Sequence, residues 1–221
     1  MTDISRRALL QYAGAGLAVA ASGLLVVGTA EAAGAAEAVA RPTILTRAQW
    51  GARAPKHPIT VLNRKPDRII VHHTDTPNST DYSVAHAKAL SKSIQNHHMD
   101  TNGWDDVGQH FTTSRGGHLM EGRDKVLPSI GQHKLVQGAQ VSGHNDHTIG
   151  IENEGTYMSV LPPTAQWNAL VQLCAYLCDQ YKLDPRTAIK GHRDYNSTDC
   201  PGDALYAKLP ALRTAVARAL G

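Results

Sequence analysis

The chain has 221 residues, with 22 Lys and Arg against 19 Asp and Glu, a net charge of +3, 42% apolar residues and a single phenylalanine. That length supports one domain around a single core, and the ordinary charge content speaks against disorder and against a nucleic-acid partner. Twelve histidines are a generous supply, so no isolated histidine counts for much as a ligand.

Ser5-Arg6-Arg7-Ala8-Leu9-Leu10 is a twin-arginine pattern, followed by a weakly apolar Ala/Gly-rich stretch from Ala13 to Ala30. It reads as an export signal rather than part of the fold. The stretch just approaches the ~18–20 residues of a membrane span. Its small residues favour cleavage, at Ala30-Glu31-Ala32 or Ala38-Val39-Ala40, so no stable span is expected afterwards. Residues 1–40 are assigned to signal peptide and low-complexity joint, and 41–221 to the mature domain.

A short helix is predicted near Thr46 to Gly51 with Thr46 as cap. A loop carrying Pro55, Pro58 and Pro66 leads to Ile69-Ile70-Val71-His72-His73, a buried strand ending in two histidines. Asp75 to Asp81 is a turn. Ala87, Leu90 and Ile94 repeat at helical spacing from Ser83 to about His98, and Gly103 ends that helix. Strands Gln109–Ser114 and His118–Glu121 flank Arg115-Gly116-Gly117 as a hairpin. Arg123 to Gly143 has no period and is expected to be a long surface loop. His147–Glu152 is the next strand. A core helix capped by Thr164 runs to Asp184-Pro185.

Thr187–Gly191 is a short strand, Pro201-Gly202 starts a short helix, and Pro210 opens the last helix, Ala211–Leu220. Helices separated by single strands and one hairpin imply an α/β fold, a mixed central sheet flanked by helices on both faces. Cys174 and Cys178 lie on the apolar stripe of the core helix, as small buried hydrophobes. Cys200 differs, standing in a polar loop.

That loop, Gly191 to Gly202, puts His192 and Cys200 eight positions apart. Imidazole nitrogen and thiolate sulfur suit zinc, and the histidine strand is the evident source of a third ligand. Adjacent strand residues face opposite ways, so His72 and His73 cannot both reach one metal. The residues alone do not choose between them.

Five stretches in order, Trp50-Gly51-Ala52-Arg53, Val71-His72-His73-Thr74, Gly103-Trp104-Asp105-Asp106-Val107-Gly108, Thr148-Ile149-Gly150-Ile151-Glu152 and the Gly191–Gly202 loop, carry a resemblance. From about Ile44 to Leu220 the chain resembles the zinc-dependent N-acetylmuramoyl-L-alanine amidases of type 2, the superfamily that includes peptidoglycan recognition proteins. The resemblance implies that family's fold, with zinc held by His72, His192 and Cys200. It also implies a secreted, wall-associated monomer that hydrolyses the amide between N-acetylmuramic acid and L-alanine in peptidoglycan.

Three protein ligands leave zinc an open position for water, whereas a structural site calls for a fourth, which His144 or His147 could offer. The recognition-protein branch carries a tyrosine where this chain has Gln109, and an amide cannot titrate. The resemblance therefore points to Glu152 as general base, as in the bacterial branch, and to Thr198 as a contact to the scissile carbonyl. His73, Trp104 and Asn145 are candidates for lining a groove for glycan and stem peptide. Two other functions compete. A non-catalytic peptidoglycan-binding module is favoured by Gln109 and opposed by Cys200. A cysteine peptidase using Cys200 with His192 is opposed by the order of the two residues and by their sharing a loop.

Overall fold

The computed structural model describes residues 39–221. All but the last two residues of the expected signal and joint lie outside them. The strands are β1 (Ile44–Leu45), β2 (Val61–Leu62), β3 (Arg68–His73), β4 (Phe111–Thr113), β5 (Leu119–Glu121), β6 (Leu135–Val136), β7 (Thr148–Asn153) and β8 (Ile189–Gly191). The helices are α1 (Arg47–Trp50), α2 (Val84–Asn96), α3 (Val126–Ile130), α4 (Thr164–Tyr181), α5 (Pro185–Ala188), α6 (Asp203–Ala207) and α7 (Leu209–Ala219). Among the described residues no helix is long and apolar enough to cross a membrane.

Six strands form one sheet in the order β1-β5-β4-β7-β3-β8, and β2 pairs with β6 in a second. Every neighbouring pair in the large sheet is parallel except the β4–β5 hairpin. The sheet is therefore mixed, and the register sorts its side chains by chemistry. Ile69, Ile149 and Ile189 stand in one row, and Val71, Ile151 and Phe111 in the next. Both rows join Leu170, Leu173 and Leu177 of α4 and Leu212 and Val216 of α7 in the main core. The opposite face carries His72, Glu152, Thr112 and Met120 in a single row. Its outer end is apolar, with Met120 packed against Trp50 of α1 and Ala87 of α2. Helices thus cover both faces, as the pattern of elements implied.

Local chemistry explains most boundaries. Thr46 and Gln49 form a reciprocal capping box on α1, and Gly51 closes it at φ +73°. Ser83 caps α2 by accepting the His86 N–H. Beyond Asn96 the helix widens into a π turn, His97–Thr101, a local expansion frequent at functional sites.

Four expectations are corrected. Thr164 is the first residue of α4 rather than its cap. Pro163 precedes it and no side chain caps that end. The helix stops at Tyr181 because Lys182 turns left-handed (φ +54°), while Asp184 caps the separate turn α5, so β8 is shorter than Thr187–Gly191. Arg123 to Gly143 is no surface loop: it contains α3 and β6, with Val126, Ile130, Leu135, Val136 and Val141 buried. Elements of five and two residues are too short to show a period. Cys174 and Cys178 are buried as expected, and burial pushes the Cys178 thiol up to about 12.

Leu170 is fully buried where α4 meets the sheet. Leu170→Ala is expected to cost about 2–5 kcal/mol, measured by chemical denaturation. A cost under ~1 kcal/mol would contradict this placement of α4.

Candidate metal centre and groove

The row on the open face of the sheet sets the site. β3 and β7 pair in register, so His72 and Glu152 stand side by side. β8 pairs on the other side of β3 and delivers the chain to His192 in a single 3-10 turn, His192–Asp194. Gly191 allows this turn to close, since a Cβ there would lie 2.8 Å from the Tyr206 ring and 3.2 Å from Pro201. The loop then folds back on itself. Asp194 accepts the Gly191 N–H at 2.8 Å, and the Arg193 N–H donates to the Cys200 carbonyl at 3.1 Å. The Arg193 guanidinium pairs with Asp203 at 2.7 Å.

These contacts bring His72, His192 and Cys200 together, with one donor atom from each lying within 4.8 Å of the others. Cys200 Sγ is 3.6 Å from His72 Nδ1, and the two imidazole rings meet at 60° with centroids 4.6 Å apart. The remaining ring nitrogens are engaged from behind. His72 Nε2 faces Gln140 Oε1 at 2.5 Å, and His192 Nε2 faces Asn196 Oδ1 at 3.1 Å.

The electrostatics of this cluster suit a cation. Burial, then the neighbouring His192, lowers the His72 pKa to about 3. Burial lowers His192 as well, so both rings are neutral and can offer lone pairs. Burial, then Glu152, raises the Cys200 thiol. Burial raises Glu152 to about 8, and its Oε2 is shut from solvent without a partner. A divalent cation would displace the thiol proton and supply the positive charge that this carboxylate lacks. Two imidazoles and one thiol fit zinc by donor type. His144 and His147 lie elsewhere, bonded to each other at 3.0 Å and through His147 to Asp67 at 2.8 Å. Among the described residues the cluster therefore has three protein donors. Cys200 has no cationic neighbour strong enough to lower its pKa, which counts against a thiolate nucleophile.

A cavity of about 430 Å³ opens over the cluster, lined by His72, Glu152, His192, Cys200, Thr198 and Trp104, among others. A second, of about 360 Å³, runs along Leu90 and Ile94 of α2 and shares Glu152 and His98 with the first. A third, of about 580 Å³, lies between Trp104, Asn145, Asn196 and Thr198.

The remaining candidates take definite places. Thr198 Oγ1 accepts the Cys200 N–H at 3.2 Å, which leaves its own proton free to donate. Trp104 borders the first and third cavities and stacks on His98 with centroids 4.6 Å apart. Asn145 borders the third, but its Oδ1 accepts from the N–H groups of Gln140 and Val141 at 2.6 and 3.0 Å. His73 also borders the first cavity. Its Nδ1 accepts from Tyr157 N at 3.3 Å, and its backbone N–H points at Cys200 Sγ at 3.4 Å. Gln109 is buried, donates to Thr112 Oγ1 at 3.0 Å and has an unpartnered Oε1.

Sequence reasoning missed Gln140, Asn196 and His98. Gln140 lies in the stretch with no period. Asn196 stands four residues after His192 in the loop already singled out, and that spacing was the available signal. His98, half-buried and lowered to about 4 by burial, accepts the Gly108 N–H at 3.1 Å. The π turn that places it leaves no mark in the apolar pattern.

The architecture of this sheet is that of peptidoglycan recognition proteins and related amidases. Peptidoglycan-recognition protein LB of Drosophila superposes with a TM-score of 0.67 at 29% identity, covering 76% of this chain and 93% of that one. The same protein is 30% identical over 173 residues in sequence, 78% of this chain and 70% of its own length. The N-acetylmuramoyl-L-alanine amidase of Sus scrofa is 34% identical over 171 residues, 76% of this chain. Only 27% of the pig protein is matched, so this chain spans about a quarter of that relative. The chain belongs to the N-acetylmuramoyl-L-alanine amidase family, whose profile matches residues 62–203.

The electrostatics of the site generate a pH prediction for chelator-treated protein. Folded His72 binds its proton less tightly than the ordinary 6.5, so stability rises with pH from about 3 to 6.5. Folded Glu152 binds its proton more tightly than the ordinary 4.5, so its contribution falls with rising pH up to about 8. Above about pH 6.5 the histidine contribution is complete and only the fall remains. Thermal melts should therefore decline between about pH 6.5 and 8, and Glu152→Gln should flatten that decline. A wild-type profile flat across this window would show that the Glu152 carboxyl is not raised.

Proposed function

We propose that the domain over residues 41–221 is a zinc amidase that hydrolyses the amide between the lactyl group of N-acetylmuramic acid and the L-alanine of the stem peptide. The observation that carries this reading is the three-donor cluster with the unpartnered Glu152 oxygen beside it. The relatives support the substrate class. Peptidoglycan recognition protein-LE, 26% identical with a TM-score of 0.67, was solved in complex with tracheal cytotoxin, a monomeric diaminopimelic acid-type peptidoglycan.

His72, His192 and Cys200 would hold the ion. Zinc bound there supplies a Lewis acid that acidifies water and polarises the scissile carbonyl. Glu152, at the junction of two cavities, takes the proton of the attacking water and returns it to the leaving amine. The water oxygen ends on the carbonyl carbon as a carboxylic acid, and the C–N bond breaks. Thr198 donates its free hydroxyl proton to the developing oxyanion. Trp104 and Asn145 line the groove for glycan and stem peptide, and His73 backs it. The enzyme acts as a monomer outside the cell, exported whole by the twin-arginine route with Arg6 and Arg7 as the signal. Loading zinc before export would commit Cys200 to metal before any oxidant reaches it.

Gln109 favours one second reading, a peptidoglycan-binding module without turnover. Mass spectrometry of fragments released from purified peptidoglycan separates the two, because only the amidase frees stem peptides with an L-alanine amino terminus. Cys200→Ser should lose zinc and hydrolysis while retaining peptidoglycan binding. With zinc retained, Glu152→Gln should lower kcat by ~10²–10⁴-fold, and Gln109→Ala far less. Near-normal turnover in Glu152→Gln together with collapse in Gln109→Ala would reverse the assignment of the base.

The export reading has its own check. Replacing Arg6 and Arg7 together by lysine should leave the protein in the cytoplasm in a cell-fractionation blot. Undiminished secretion of that variant would refute twin-arginine export.

A further inference from the structure

The hydrogen bonds behind His72 allow only one assignment of protons. Thr148 is fully buried, and its hydroxyl lies 2.7 Å from the carbonyl oxygen of His144. A carbonyl only accepts, so this contact uses the Thr148 proton. The same hydroxyl oxygen must then accept from its other neighbour, the Gln140 carboxamide at 2.7 Å, so the group facing it is the Gln140 nitrogen. That leaves the Gln140 oxygen facing His72 Nε2 at 2.5 Å. Nε2 therefore carries the ring proton, and the lone pair sits on Nδ1, the atom 3.6 Å from Cys200 Sγ.

Two further features hold the carboxamide where this chain needs it. The Gln140 backbone N–H is tied to Asn145 Oδ1 at 2.6 Å. Gly150, on the face of β7 that carries Glu152, leaves the space that the Gln140 side chain fills. A Cβ there would lie 2.6 Å from both Cγ and Cδ of Gln140.

We propose that Gln140 is the positioning residue that makes His72 an Nδ1 metal ligand, with Thr148 and Gly150 required because they orient the Gln140 carboxamide. The proposal rests on the zinc reading above and adds the residues that prepare one of its ligands. An oxygen accepting the far N–H of a ligating imidazole fixes the ring and raises its basicity. Removing such a partner typically costs ~10–100-fold in metal affinity.

The test uses the zinc-loaded full chain in competition with a chromophoric chelator. Gln140→Leu should weaken zinc by ~10–100-fold. Gln140→Glu, which keeps an acceptor, should hold zinc at least as well as wild type. Thr148→Val should give a smaller loss, because the carboxamide remains but is free to turn over. Nitrogen-15 spectra of zinc-loaded wild type should show His72 protonated at Nε2 and metallated at Nδ1. Wild-type zinc affinity in both Gln140→Leu and Thr148→Val, or metallation at Nε2, would overturn the proposal while leaving the zinc reading intact. Should Gln140→Leu fail to fold, Thr148→Val carries the affinity test alone. A wild-type chain that takes up no zinc would remove the zinc reading and this proposal with it.

Discussion

Everything at this site depends on one strand pairing, the parallel register in which His72 of β3 lies opposite Glu152 of β7. A slip of β3 by one residue would turn His72 to the apolar face and send Val71 into the groove, and a slip of β7 would do the same to Glu152 and Ile151. The core prevents it. Ile69, Val71, Ile149, Ile151 and Phe111 are all essentially inaccessible on the face that meets α4, so a slip would expose a full row of β-branched side chains. At roughly 1.5–3 kcal/mol for each buried aliphatic residue, that penalty is comparable to the whole stability margin of a domain. Hydrophobic packing on one side of the sheet thus sets the spacing of polar groups on the other.

The polar face is not arranged for the stability of the bare protein. A half-buried thiol, two imidazoles held neutral and a carboxyl oxygen with no partner sit together. A structural cluster would pair such groups with one another, as His86 and Glu154 do at 2.6 Å elsewhere in the molecule. At the site a cation would meet the thiol, the imidazole lone pairs and the carboxyl oxygen together. Local disagreement with the rules that govern the rest of a fold is the usual physical mark of a functional site.

The long elements were legible because their patterns are long: the β-branched run of β3, the stripe of α4 and the alternation in β7 all survive in the structure. The contents of Arg123 to Gly143 were not, because α3 and β6 owe their burial to partners distant in sequence, β6 to β2. The choice of His72 over His73 was beyond the residues themselves. Alternation shows that two neighbours diverge without showing which one faces the loop, and only the family resemblance singled out His72. Gln140 was hidden for a related reason. Its importance comes from standing behind His72 in space, which neither composition nor spacing expresses.

The three donors come from parts of the fold with different jobs, and that separates binding from chemistry. His72 belongs to a central strand and is nearly inaccessible. Cys200 lies on a loop held by its own contacts, from Arg193 to Asp203 and to the Cys200 carbonyl, and its sulfur adds nothing to the apolar core. Trp104 and Asn145 line the groove from the segments after α2 and before β7 and depend on no metal. Loss of the cysteine would therefore leave the sheet and the groove in place. Cys200 stands here beside the unpartnered Glu152 oxygen, and those two groups, not the sheet or the groove, are what separate the catalytic reading of the site from the binding one.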